Sequence, residues 1–311
     1  MDQKTPPNRQ VRSLPVTFYS MGVSLGLLLF LLQGCSRSVS PELFEDTTIE
    51  DRRTITQGET TREYLIRVPG SYNNQSEPRA LIINMHGYGG DAMSYRAYVG
   101  EKTDLHLLAD QREFIVAYPD AFIRKGGGEP YWQPGDNGEM DIALNDVYFI
   151  DRVLNDIKAN YSIDERRVFA FGFSNGGMMA YSLGCNSGDI FAAVGGMATT
   201  MIPEECNVSH TPSIIAFHGT DDTVLPYNGN AVWQAVPDVM RFWVDHNGLS
   251  RQDMEITEFN NNTIQLEQYY GEQSKVSLYT FEGGEHVWFT ELINGMSPSE
   301  VLWEFLENIR L

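Results

Sequence analysis

The run Arg167-Val168-Phe169-Ala170-Phe171-Gly172-Phe173-Ser174-Asn175-Gly176-Gly177-Met178-Met179-Ala180-Tyr181 decides how this chain is read. Its first half is short, apolar and β-forming, as a strand buried on both faces of a parallel sheet must be. Its second half favours a helix. Between them stands Gly-x-Ser-x-Gly, whose glycines remove side chains from a strand-to-helix turn too tight to hold them, leaving the serine hydroxyl exposed at the helix N-terminus. A bare match to five residues carries little weight. Preceded by a strand and followed by a helix, it makes Ser174 a candidate nucleophile.

Outward from this turn the chain alternates. Apolar runs at Glu63–Val68, Ala80–Met85, Phe114–Tyr118 and Ser213–Phe217 read as further strands, with a late one at 276–281. Asp146 to Tyr161 places Val147, Ile150, Val153, Leu154 and Ile157 on one helical face, with Asp146 as N-cap. Residues 231–246 and Pro298 to Ile309 also read as helices, the last capped by Ser297 or Ser299. Strands alternating with helices predict an α/β fold, a mostly parallel central sheet with helices on both faces.

The length of 311 residues allows a sizeable core. Acidic residues outnumber basic ones 42 to 22, for a formal charge of -20, so there is little from which to build a phosphate-neutralising surface. Nucleic acid is not an expected partner. Lys4, Arg9 and Arg12 precede the apolar run Met21–Leu32, which is too short to span a bilayer and is followed by Gln33, Gly34 and Cys35. Residues 1–34 therefore read as a secretory signal. Leu32-Gln33-Gly34-Cys35 resembles the bacterial lipobox, so the protein is expected to be exported, extracellular or periplasmic, and held at a membrane only through lipid on Cys35. Residues 35–60 read as a tether, ending in a first edge strand, and 61–311 as one catalytic domain.

Cys185 and Cys206 remain as an even pair in an oxidising compartment and are expected to form a disulfide. Its closed loop would contribute about 3 kcal/mol on the loop-entropy argument. No Cys-x-x-Cys or His-rich spacing points to a metal, and no cofactor is expected.

The remaining chemistry falls at strand ends. Ala80–Met85 runs into His86-Gly87-Tyr88-Gly89-Gly90, where a flexible backbone can turn its N–H groups to a ligand. With this kind of elbow, the oxyanion donors are expected to be the N–H of Asn175, next to the nucleophile, and that of Tyr88 in the early loop. His86, opening that loop, is expected to brace it rather than act as base. After Ser213–Phe217 comes His218-Gly219-Thr220-Asp221-Asp222, offering Asp222 as the acid with Asp221 its neighbouring rival. His218 is read as bracing this loop. Gly283-Gly284-Glu285-His286 then offers His286 as general base. The order Ser174, Asp222, His286 is that of the α/β-hydrolases.

As a set, these motifs resemble the polyhydroxybutyrate depolymerase and feruloyl esterase family over roughly residues 62–290. The set includes Asn145-Asp146-Val147-Tyr148-Phe149, Ile163-Asp164-Glu165-Arg166-Arg167, the elbow, Phe191-Ala192-Ala193-Val194, the His86 and His218 loops, and His286-x-Trp288. The resemblance implies Ser174 as nucleophile, His286 as base, Asp222 rather than Asp221 as acid because it lies four residues before Pro226, and a Cys185–Cys206 bridge. Where the family has Pro after the tryptophan, this chain has Phe289, which implies a different pocket rim. Trp132, Tyr131 and Trp288 are candidates for an aromatic substrate-binding platform.

The expected activity is that of a secreted serine carboxylic ester hydrolase. Its substrates would be hydroxybutyrate-type oligoesters, or feruloyl and acetyl esters on plant polysaccharide. Two other readings are a serine peptidase of the prolyl oligopeptidase type and a non-catalytic ligand-binding lipoprotein.

Overall fold

Ten strands form one sheet in the order β1-β2-β4-β3-β5-β6-β7-β10-β9-β8. In chain order they are β1 (Ile49–Gln57), β2 (Thr60–Val68), β3 (Arg79–Met85), β4 (Ile115–Pro119), β5 (Ile163–Phe173), β6 (Ala193–Met197), β7 (Ser213–Gly219), β8 (Glu255–Phe259), β9 (Ile264–Tyr270) and β10 (Lys275–Phe281). The computed structural model describes residues 49–73, 77–123, 128–134, 145–187, 189–201 and 210–311. All belong to the unit Glu45–Leu311. The segment read as a secretory signal and Cys35 lie outside the described residues.

From β4 to β10 the six central strands are parallel, and antiparallel pairs close both edges. The mostly parallel sheet matches the sequence expectation. β1 starts inside the stretch read as tether and pairs with β2 along its whole length.

Helices α1 (Ala92–Lys102), α2 (Leu105–Arg112), α3 (Asp146–Asn160), α4 (Asn175–Asn186), α5 (Val236–His246) and α6 (Pro298–Leu306) cover the two faces. The alternation of β3 sorts them. Leu81, Ile83 and Met85 join a core with α3, α4 and α5, while Ala80 and Ile82 join a second core with α1, α2 and α6. On α3, Phe149, Ile150, Val153, Leu154 and Ile157 are buried, each stabilising the fold by about 1.5–3 kcal/mol.

Several local expectations change. The N-cap of α3 is Asn145, whose side chain accepts from the Tyr148 N–H, and Asp146 is instead buried in an ion pair with Arg62 at 2.7 Å. The helix read over 231–246 begins at Val236, with proline in its first turn. Ser297 caps α6 in a reciprocal capping box with Glu300. The expected Cys185–Cys206 bridge also needs correcting. Cys185 is buried on α4 and disulfide-bonded, but Cys206, the partner expected for it, lies among residues 202–209, outside the described residues, so the Cys185–Cys206 pairing is not part of the described structure.

Among the described residues no helix is long and apolar enough to cross a membrane.

Candidate active site

The elbow is built by two close approaches. A Cβ on Gly172 would stand 2.3 Å from the Gly176 carbonyl carbon, and one on Gly176 would stand 2.2 Å from the Met85 carbonyl oxygen, so only hydrogen fits at either position. Between them Ser174 takes φ 53° and ψ −120°, a strained backbone for a residue with a side chain. Neighbouring strands hold it there. Its N–H donates to the Met197 carbonyl at 2.9 Å, and its carbonyl accepts from Thr199 Oγ1 at 2.8 Å and from the Gly177 N–H at 2.9 Å. In the sequence nothing distinguishes Thr199 from any other threonine.

Ser174 Oγ lies 2.9 Å from His286 Nε2, and His286 Nδ1 lies 2.7 Å from Asp222 Oδ2. The structure thus brings the three residues into one hydrogen-bonded chain, although 64 and 112 positions separate His286 from its two partners. Asp222 is buried. Burial alone would raise its pKa, but hydrogen bonds from His218, His286 and the Leu225 N–H outweigh it and hold the carboxyl well below the usual carboxylate range. A carboxylate can then receive Nδ1–H, which leaves Nε2 as acceptor for the serine proton. Asp221 is exposed and its carboxylate accepts from Thr220 Oγ1 at 3.5 Å, while both His286 nitrogens are engaged by Asp222 and Ser174. The acid and base loops meet at Gly219, where a Cβ would lie 2.0 Å from the Gly284 carbonyl oxygen, and the Asp221 N–H donates to that carbonyl at 2.9 Å. The Phe173 ring packs on His286 at 5.1 Å between centroids.

His218 braces the acid loop from within, reaching the Leu225 carbonyl at 2.9 Å and Asp222 Oδ2 at 3.3 Å through Nε2. His86 has the corresponding place in the oxyanion loop. Its Nε2 accepts the Ala121 N–H at 3.0 Å, so the proton must sit on Nδ1, which donates to the Gly87 carbonyl at 2.7 Å. Burial lowers its pKa below the ordinary histidine value and keeps it neutral. Since C=O and N–H point in opposite directions across a trans peptide, pinning the Gly87 carbonyl aims the Tyr88 N–H away from His86. Neither that N–H nor the Asn175 N–H has a hydrogen-bond acceptor among the described residues. A Cβ on Gly87 would lie 3.4 Å from Ser174 Cβ, so the loop passes beside the serine.

The two tryptophans are not where the sequence reading put them. Trp132 is 0% exposed in the core with α3, α4 and α5, whereas Trp288 is 4% exposed in the other core, against Phe171 and Tyr95. They lie on opposite faces of the sheet and cannot share a platform. Their size wins over their polar N–H: each buries a large apolar ring. The exposed aromatic group is instead Tyr88, 65% accessible and stacked on Tyr131 at 6.0 Å. Among the described residues no group of three His, Cys, Asp or Glu is placed to hold a metal.

Residues 72–236, just over half of the chain, match the phospholipase/carboxylesterase family. The chain belongs to that family. Its members are carboxylic ester hydrolases, and this protein acts on ester substrates. Among relatives, the probable feruloyl esterase C of Aspergillus niger is 27% identical over 78% of this chain and 83% of its own length. Feruloyl esterase B of Piromyces equi is 28% identical over 80% of this chain but 46% of its own. An acetyl xylan esterase from Aspergillus awamori shares the fold, with a TM-score of 0.62 at 17% identity over 83% of this chain and 99% of that one.

Proposed function

We propose that this carboxylesterase hydrolyses feruloyl or acetyl esters of plant polysaccharide, or related oligoesters, through an acyl-enzyme on Ser174. The observation that carries the reading is the hydrogen-bonded chain from Ser174 Oγ through His286 to Asp222. His286 Nε2 takes the Ser174 proton as Oγ attacks the ester carbonyl. The resulting oxyanion is met by the N–H groups of Tyr88 and Asn175, both of which lack another acceptor among the described residues. The alcohol leaves with the proton from His286. Water, deprotonated by the same nitrogen, then releases the acid, while Asp222 stabilises the transient imidazolium.

For the acyl group, the reading is supported by the feruloyl esterases among the relatives and by the exposed Tyr88, stacked on the half-buried Tyr131 on the oxyanion side, which suits an aromatic ring. We further propose export, with lipid on Cys35, from the Lys4–Cys35 segment.

The test is hydrolysis of p-nitrophenyl butyrate, methyl ferulate, acetylated xylan, hydroxybutyrate oligomers and a peptide anilide, with Ser174→Ala as control. Ester cleavage that disappears in the variant is expected, and the preferred ester selects the substrate class. Cleavage of the anilide alone would favour a peptidase. Ester cleavage unaffected by Ser174→Ala would remove the proposed nucleophile.

A further inference from the structure

Trp132 touches both halves of the proposed oxyanion site without being able to touch substrate. Its indole Nε1 donates to the His86 carbonyl at 2.9 Å, immediately before the Gly87–Tyr88 peptide. Its backbone N–H donates to Asn175 Oδ1 at 2.7 Å, and its carbonyl accepts from Asn175 Nδ2 at 3.0 Å. The Asn175 side chain is thereby engaged at both ends, while its backbone N–H is the second proposed donor. One fully buried residue therefore joins the loop that carries Tyr88 to the residue that carries the other N–H.

Trp132 is itself anchored from both sides. Before it, the Pro130 carbonyl accepts from the Gly89 N–H at 2.8 Å, a second tie to the oxyanion loop. After it, the Gln133 N–H donates to Asp146 Oδ2 at 2.7 Å. Asp146 is paired in the core with Arg62, whose guanidinium lies over the Phe149 ring at 3.6 Å and donates to the Asp120 carbonyl at 2.9 Å. The His86 and Trp132 rings pack at 5.3 Å, so the imidazole that aims the Gly87–Tyr88 peptide rests on the same indole.

We infer that Trp132 is a positioning residue that holds the N–H groups of Tyr88 and Asn175 in mutual register, so that both meet the developing oxyanion. The inference rests on the acyl-enzyme reading above. Oxyanion stabilisation depends on donors placed before charge develops, so displacing one of them weakens the transition state far more than the bound ester.

Trp132→Phe keeps a ring in the core and removes the N–H to His86. Rates are taken per active site titrated with paraoxon, on p-nitrophenyl butyrate. Affinity is measured for an alkyl trifluoromethyl ketone, whose Ser174 adduct carries an oxyanion. The expected result is a fall in kcat of about 10–100-fold with KM within about threefold, and a parallel rise in the ketone Ki. A variant with parental kcat and Ki overturns the inference, as does one whose kcat falls while the ketone binds unchanged, because Trp132 then acts elsewhere. If Trp132→Phe does not fold, a benzothienylalanine at position 132, which replaces N–H by sulfur at nearly the same shape, is judged by the same two outcomes. A parent with no esterase activity would instead overturn the reading on which the inference stands.

Discussion

Gly176 passes so close to Met85 that a Cβ on it would stand 2.2 Å from the Met85 carbonyl oxygen, and 2.5 Å from that of His86. The nucleophile elbow and the root of the oxyanion loop are therefore in backbone contact, and neither can move without the other. Gly176→Ala is expected to cost about 3 kcal/mol of stability, read from the urea midpoint at unchanged slope, because backbone cannot swing aside as a side chain does. A loss under about 0.5 kcal/mol would show that the contact is looser than described.

Asp222→Asn keeps the shape of the side chain but removes the charge that orients His286 and stabilises its cation. The kcat for p-nitrophenyl butyrate is expected to fall by about 10³–10⁴ with little change in KM. Asp221→Asn, in the exposed neighbour, is expected to leave kcat within about twofold of the parent. The reverse ranking would transfer the acid role to Asp221.

His86 is neutral, buried and pinned as an acceptor from the Ala121 N–H, and its pKa in the fold lies below the ordinary 6.5. The unfolded chain therefore takes up the proton first as pH falls. Stability from this residue is complete above pH 6.5 and is lost as pH drops from there toward the folded pKa. His86→Gln, which cannot titrate, is expected to lower stability at pH 8 by about 1–2 kcal/mol for its lost hydrogen bonds, and to flatten the decline below pH 6.5. An identical acid-side slope in both proteins would assign that slope to other groups.

Removing Asp146 strands the Arg62 guanidinium in the core. Asp146→Ala is expected to destabilise by about 3–5 kcal/mol, whereas Arg62→Met with Asp146→Leu should cost clearly less than the single change. A double-mutant cycle by chemical denaturation makes the comparison, and additive costs would show that the pair is not coupled.

Tyr131→Ala removes the ring stacked on Tyr88. The kcat/KM for methyl ferulate is expected to fall by about 2–10-fold relative to p-nitrophenyl acetate, which has no aryl acyl group to pack there. Equal changes on both esters would exclude an aryl-selective role for the pair.

Much of the frame is legible in the sequence because it depends on local rules. Val168–Phe171 of β5 and Ile214–Phe217 of β7 are continuous apolar runs since both faces of a parallel strand are buried there, and the tight turn between β5 and α4 can be written only with glycine at 172 and 176. The missing strands have physical explanations. β6 contains Gly195 and Gly196, which dilute its strand signal, yet a Cβ at Gly195 would meet the Ile215 carbonyl oxygen at 1.9 Å. β8 is an edge strand with no buried residue, so it lacks the burial alternation by which strands are recognised.

By itself the sequence determined the parallel sheet, the elbow with Ser174 at its tip, and the strand-end loops that supply Asp222 and His286. Each of these follows from periodicity or from a backbone that only glycine can adopt. Only the tertiary structure shows Asp222 buried at 2.7 Å from His286 with Asp221 turned to solvent, and Trp132 and Trp288 buried on opposite faces of the sheet. It likewise decided that Asp146 pairs with Arg62 instead of capping α3. Loop residues have no period from which their direction can be read, and an indole or a carboxylate is at home in either setting. Which setting it takes depends on partners that lie up to a hundred or so residues away in the chain, as Ser174 does from His286, and become neighbours only when the loops close over the sheet.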